Sequence, residues 1–111
     1  MISFGSMIKT IPEKLTNDII ELIQAFPEYR FIWRNSKTPE NTPKNAKIAA
    51  WLPQVDLLSD SRTKIFISHC GNHGAHESIF NGVPVLAIPL MFDQFYIASR
   101  IEGKIFVFIL Y

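Results

Sequence analysis

Cysteine is nearly missing from this sequence: Cys70 is the only one in 111 residues. A single thiol forbids an internal disulfide and rules out both a disulfide framework and a multi-cysteine zinc site. A charge excess is missing as well. Eleven Lys and Arg stand against ten Asp and Glu, a formal net charge of +1, with neither a basic block nor an acidic tail. That balance leaves no electrostatic footprint for nucleic acid or another charged polymer. No apolar run approaches the ~18 residues of a membrane span, and no charged segment with an apolar core and cleavage site opens the sequence. Internal repeats and low-complexity tracts are absent too. What is present is the length of one domain, 48% hydrophobic and 19% charged, a globular composition with a modest core. It is short for a self-sufficient enzyme with two substrates.

Short β-branched or aromatic runs alternate with helical patterns. Met1 to Phe4 predicts a strand, and Gly5-Ser6 the turn leaving it. Thr10-Ile11-Pro12-Glu13 fits a capping box, with Thr10 at the cap and Glu13 three residues on. Leu15, Ile19, Leu22, Ile23 and Phe26 follow at helical spacing until Pro27. Further strands are predicted at Tyr29 to Trp33, Lys47 to Ala50, Ile65 to Ser68 and Val85 to Ile88. Asn35 to Lys47, with two prolines and few apolar residues, reads as a loop. A helix after Ser68 runs to about Asn81-Gly82, where Gly82 occupies the place of a left-handed cap. A last helix covers Gln94 to Glu102, with Gly103 behind it.

This alternation, with several strands that are continuous apolar runs, predicts an α/β fold: a Rossmann-like parallel sheet with helices on both faces. Ligands of such sheets sit at the carboxyl ends of the strands. The residues there are Trp51-Leu52-Pro53-Gln54 after Ala50, His69-Cys70-Gly71-Asn72-His73-Gly74-Ala75-His76-Glu77 after Ser68, and Pro89 to Gln94 after Ile88. In a doubly wound sheet all three groups open onto one crevice. Singly, each has an ordinary explanation: Trp51 as a core aromatic, Pro53 as a loop stiffener, Asp93 as a helix cap. Together they offer a flat ring for a base, donors for a diphosphate and carboxylates for hydroxyls. Gly71 and Gly74 let backbone approach a ligand, and a helix N-terminus attracts an anion by roughly 0.3 to 2 kcal/mol. His69 and backbone amides add charge-assisted hydrogen bonds. Glu77 reads either as a ligand for paired ribose hydroxyls or as a negative side chain complementing the helix N-terminus. His76 and Cys70 read as packing or surface residues.

The stretch from Trp51 to Gln94 resembles the donor-binding signature of the UDP-glycosyltransferases, the family that includes the animal UDP-glucuronosyltransferases. Phe66-Ile67-Ser68-His69-Cys70-Gly71, then Gly74, Glu77, Pro84, Pro89 and Asp93-Gln94, fall at the spacings of that signature. Trp51-Leu52-Pro53-Gln54 with Asp56-Leu57-Leu58 is typical of the glucuronosyltransferase branch, and Ser3-Phe4-Gly5-Ser6 resembles the opening of its C-terminal domain. The likeness runs from about Ile2 to Lys104. It implies the C-terminal half of a GT-B type glycosyltransferase, with residues 1–104 a UDP-sugar-binding domain and 105–111 a divergent apolar tail able to pair as an edge strand. It implies that Trp51 stacks on uracil, that Gln54 bonds near the uridine, and that Glu77 takes the ribose hydroxyls. His69, Gly71, Asn72, His73 and Gly74 would hold the diphosphate, with Gly5 and Ser6 as further phosphate candidates. Asp93 and Gln94 would contact the transferred sugar. The donor would be a UDP-sugar, UDP-glucuronic acid or UDP-glucose, with no other cofactor and no metal. The sugar would pass with inversion to a small lipophilic acceptor. The family's base is a histidine in an N-terminal acceptor domain, so no catalytic residue is assigned here, and the sequence reads as a fragment. The intact family member would lie at the endoplasmic reticulum membrane.

One substitution departs from the signature. His73 stands where the family commonly has Asn, with Asn72 one residue earlier. Three other functions compete with this reading. A zinc hydrolase draws on His69, His73 and His76, but a zinc-protease helix puts Glu directly after its first His, where Cys70 stands. A dinucleotide oxidoreductase needs Gly-x-Gly-x-x-Gly, of which only Gly71 and Gly74 stand in the right relation, and the P-loop lysine pattern is missing too. A non-catalytic UDP-binding or partner-binding module stays open.

Overall fold

A computed structural model of the chain describes residues 1–8, 10–102 and 107–109. In chain order its elements are β1 (Ile2–Ser3), α1 (Glu13–Ala25), β2 (Phe31–Arg34), β3 (Ala46–Ala49), α2 (Gln54–Ser59), β4 (Phe66–Ser68), α3 (Asn72–Phe80), β5 (Val85–Ala87), α4 (Gln94–Ile101) and β6 (Val107–Ile109). They fall into two compact units, Met1–Gly5 with Pro53–Tyr111, and Ser6–Leu52. No helix among the described residues is long and apolar enough to cross a membrane.

In the first unit β1, β4, β5 and β6 lie side by side, every pair parallel. Ser3 stands opposite Ser68, Ser68 opposite Ala87, and Ala87 opposite Ile109. Strands β1 and β4 are buried along their whole length rather than alternately, as parallel strands covered on both faces require. Leu58, Phe66, Cys70, Ala75, Val83, Val85, Ala87, Ala98 and Ile101 form the core, so α2, α3 and α4 each contribute to it. Helix α3 stops as its sequence predicts. Gly82 has φ +66, Val83 N–H reaches Ser78 O at 2.9 Å and Gly82 N–H reaches Ile79 O at 3.1 Å. That pair of bonds is the Schellman arrangement. Residues 107–109 of the apolar tail pair with β5; Gly103 to Phe106, Leu110 and Tyr111 lie outside the described residues.

Two predictions about elements are corrected. Thr10 caps nothing: α1 begins at Glu13, with Pro12 as its cap residue and the Pro12 carbonyl accepting from Thr16 N–H at 3.0 Å. A helix starting at Thr10 would need Ile11 in helical conformation, and the proline after Ile11 disfavours that. Helix α2 has no counterpart in the sequence pattern, because its six residues are too few to display a period. The other boundaries fall within about two residues of the sequence reading, the usual scatter of element ends.

In the second unit β2 and β3 pair in parallel, from Phe31 opposite Ala46 to Arg34 opposite Ala49. Helix α1 buries Ile19, Ile20 and Ile23, while Phe26 lies beyond its end, exposed and edge-on to Tyr29. Asn45, inside the predicted loop, ties this unit together. Its Nδ2 donates to the carbonyls of Ile23 (3.0 Å), Phe26 (3.2 Å) and Tyr29 (3.1 Å), gathering the end of α1 and the turn after it. Replacing Asn45 with Ala strips those carbonyls of a shared donor and should cost about 1–3 kcal/mol. Asn45→Asp should cost more, since it sets a carboxylate against three carbonyl oxygens. Urea denaturation midpoints of the two variants check both the loss and its order.

Candidate functional site

The turn between β4 and α3 is built from backbone geometry that few sequences adopt. Cys70 has φ +61, in the left-handed region, and its N–H donates to Ser68 Oγ at 3.2 Å. Gly71 then extends as the cap residue of α3, and the first helical bond runs from Ala75 N–H to Gly71 O at 3.0 Å. The N–H groups of Asn72, His73 and Gly74 stand ahead of that bond. No side chain caps this end, and no acidic residue lies in the first turn. The positive end of the α3 dipole is therefore left to a ligand or to solvent.

His69 sits beside it, half-buried, with its Nδ1 buried and without a hydrogen-bond partner. Burial pushes the ring below the ordinary histidine range. The Ser3 backbone and the Asp93 carboxylate act more weakly in the opposite direction, the former without closing a bond of normal geometry. Two glycines close on the Cε1–Nε2 edge of the ring. A Cβ added to Gly5, whose φ is +76, would lie 2.7 Å from Cε1 and 2.8 Å from Nε2. One added to Gly71 would overlap Nε2 and stand 2.9 Å from Cε1. Gly74 differs: a Cβ there would meet Phe66 Cε1 at 3.4 Å and Gln54 Nε2 at 3.5 Å, ordinary contact distances.

Glu77, half-buried one turn into α3, accepts a 2.6 Å hydrogen bond from Gln54 Nε2 on α2. Gln94 is 7% exposed, and its Oε1 accepts from the N–H groups of Leu90 (2.8 Å) and Met91 (2.9 Å). Asp93, at the cap position of α4, makes no capping bond. The structure thus brings Gly5, Gln54, His69, Gly71, Gly74, Glu77, Asp93 and Gln94 into the first unit, and leaves the Asn72 and His73 side chains exposed at the start of α3. Trp51 and Ser6 belong to the second unit, both exposed.

Trp51 is 72% exposed, so it is no core aromatic. The Arg34 guanidinium carbon lies 5.2 Å from the centre of its ring, within cation–π range. Sequence reasoning missed Arg34. The signal lay in strand register: Arg34 pairs with Ala49, and Trp51 follows Ala49 by two residues.

The histidine triplet does not gather. His69 precedes α3, and His76 Nδ1 donates to the Asn72 carbonyl at 2.8 Å on an exposed helix face. Among the described residues no three His, Cys, Asp or Glu side chains are placed to hold a metal ion.

Residues 1–109 match the family described as UDP-glucoronosyl and UDP-glucosyl transferase. The chain belongs to this family. It is 44% identical over 103 residues to UDP-glucuronosyltransferase 1A9 of Mus musculus, covering 92% of this chain and 19% of that relative. UDP-glucuronosyltransferase 1A8 of Rattus norvegicus is 43% identical over the same length. The chain spans about a fifth of the length of these curated relatives. The solved structure of Medicago truncatula UGT71G1 complexed with UDP-glucose matches with a TM-score of 0.83 at 28% identity, over 99% of this chain and 26% of that one. The glycotransferase of kitacinnamycin shares the fold at a TM-score of 0.84 and 23% identity, over 98% of this chain and 29% of that one. The Rossmann-like parallel sheet is shared with GT-B glycosyltransferases and is consistent with a truncated C-terminal half, as the motifs led us to expect.

The glycine contacts make a graded prediction. Gly5→Ala and Gly71→Ala should each force the His69 ring aside and lower stability by about 1–3 kcal/mol. Gly74→Ala should fold with unchanged or slightly raised stability, since alanine is the better helix former by roughly 1 kcal/mol. Thermal unfolding of the three variants, with the His69 ring resonances as a local readout, checks the ranking.

Proposed function

We propose that this chain provides the donor-binding region of an inverting UDP-glycosyltransferase of the glucuronosyltransferase type. A glucuronosyl or hexosyl group passes from a UDP-sugar to a small lipophilic acceptor. The observation that carries the reading is the uncapped N-terminus of α3 beside the His69 ring, with the glycine backbones of Gly5 and Gly71 against it. A diphosphate there receives backbone N–H groups and an imidazole without needing Lys or Arg. Trp51 takes the uracil ring, a type of contact worth about 1–3 kcal/mol per base in nucleic-acid systems. Glu77, held by Gln54, takes the ribose hydroxyls. Asp93 offers a carboxylate to the transferred sugar. Gln94 offers only its amide N–H groups, because its oxygen is engaged by the loop. Ser6 is a further phosphate donor.

As the bond to the anomeric carbon breaks, charge develops on the departing UDP, and fixed donors aimed at the diphosphate lower the barrier. The acceptor's proton goes to a base outside this chain, in the acceptor domain of the whole enzyme. That enzyme resides at the endoplasmic reticulum membrane and needs no metal or further cofactor.

Three outcomes test this. Calorimetry should show UDP binding to the folded chain, weakened at least about fivefold by Trp51→Ala. A folded chain with no affinity for UDP sinks the reading. Binding should depend on pH through His69. The free ring is held below its ordinary range and is neutral at pH 7. A bound diphosphate favours the imidazolium and raises that value, so binding takes up a proton and strengthens as pH falls. Since phosphate itself titrates near pH 6, the comparison is with His69→Gln. The wild-type advantage should be larger at pH 6 than at pH 8. Finally, the chain alone should transfer no sugar to a phenol, and steady turnover free of contaminating enzyme would contradict the assignment of the base to another domain.

A further inference from the structure

We propose that Arg34 is a positioning residue for the nucleobase, acting through Trp51. The idea rests on the donor-site reading above. Trp51 is exposed over most of its surface, yet it has a cation 5.2 Å from its ring centre. An indole on a loop, with nothing behind it, samples several rotamers, and a ligand that stacks on it must first order it. Arg34 changes that. It is the last residue of β2, paired with Ala49, and the next N–H, that of Asn35, donates to the Ala49 carbonyl at 3.0 Å. The ladder thus fixes the Arg34 backbone within two residues of Trp51. The root of its guanidinium is also fixed, because Nε is buried. A planar, permanently charged group held this way braces one face of the indole by cation–π attraction and leaves the other for a flat ligand. Stacking tolerates any base, so Arg34 supports affinity for the base without selecting uracil.

The test separates the base from the diphosphate. UDP and inorganic pyrophosphate are titrated into the wild-type chain, Arg34→Met, Trp51→Ala and the double variant. Arg34→Met should weaken UDP about two- to fivefold, the range of an exposed cation–π pair, and leave pyrophosphate unchanged. In the Trp51→Ala background the same substitution should cost almost nothing, because the arginine then has no ring to brace. If Arg34→Met does not fold, Arg34→Lys carries the comparison: it keeps the charge but loses the planar face, so a smaller loss confined to UDP is expected. Equal weakening of UDP and pyrophosphate overturns the proposal, as does an undiminished loss without Trp51, or UDP affinity equal to wild type. A wild-type chain that binds pyrophosphate but not UDP removes base stacking itself, and the proposal with it.

Discussion

Strands β1 and β4 run parallel with Ser3 level with Ser68, so the segments leaving them emerge together, and the His69 imidazole packs against both. Everything downstream depends on how closely the backbones approach that ring. Gly5 and Gly71 can stand against its Cε1–Nε2 edge only because neither carries a Cβ. Cys70, between His69 and Gly71, adopts a left-handed backbone that redirects the chain into α3. A non-glycine residue in that region costs of order 1–3 kcal/mol, and burial of Cys70 in the core over-determines it. The direction of the helix, and with it the placement of Glu77, follows from this one crowded turn.

A second economy operates after β5. Phe92 also has a left-handed backbone, φ +54, yet it is exposed and supplies no burial to hold it. The holding is done by Gln94, whose amide oxygen gathers two successive N–H groups of the loop. This division frees its neighbour. An aspartate at a helix start usually spends its carboxylate on backbone N–H groups. Asp93 does not, and its charge is felt at His69 instead. An amide that looks from sequence like a ligand for sugar is, in the fold, first a strut for the carboxylate beside it.

How much of this was legible depends on whether the cause is local. Gly82 announced itself, because only a residue without a Cβ takes that cap cheaply, and its position followed from the helix before it. The buried strands were legible as apolar runs. The turn chemistry around His69 was readable because residue type, order and spacing all lie within nine residues. Asn45 was not readable: its worth comes from three carbonyls 16 to 22 residues away. Thr10 misled because the capping pattern was weighed without the proline inside it. Arg34 needed the β2–β3 register, which no single segment encodes.

The lone cysteine forms no internal disulfide, and its burial sets its reactivity. Its side chain is 0% exposed, and burial pushes the thiol up to about 11. At neutral pH the reactive thiolate is then scarce. A chain with this cysteine can sit among oxidants without being linked to its neighbours, for as long as the turn beside His69 stays closed. Cys70 is thus a silent witness to that turn: a thiol reagent finds it only when the turn has come apart.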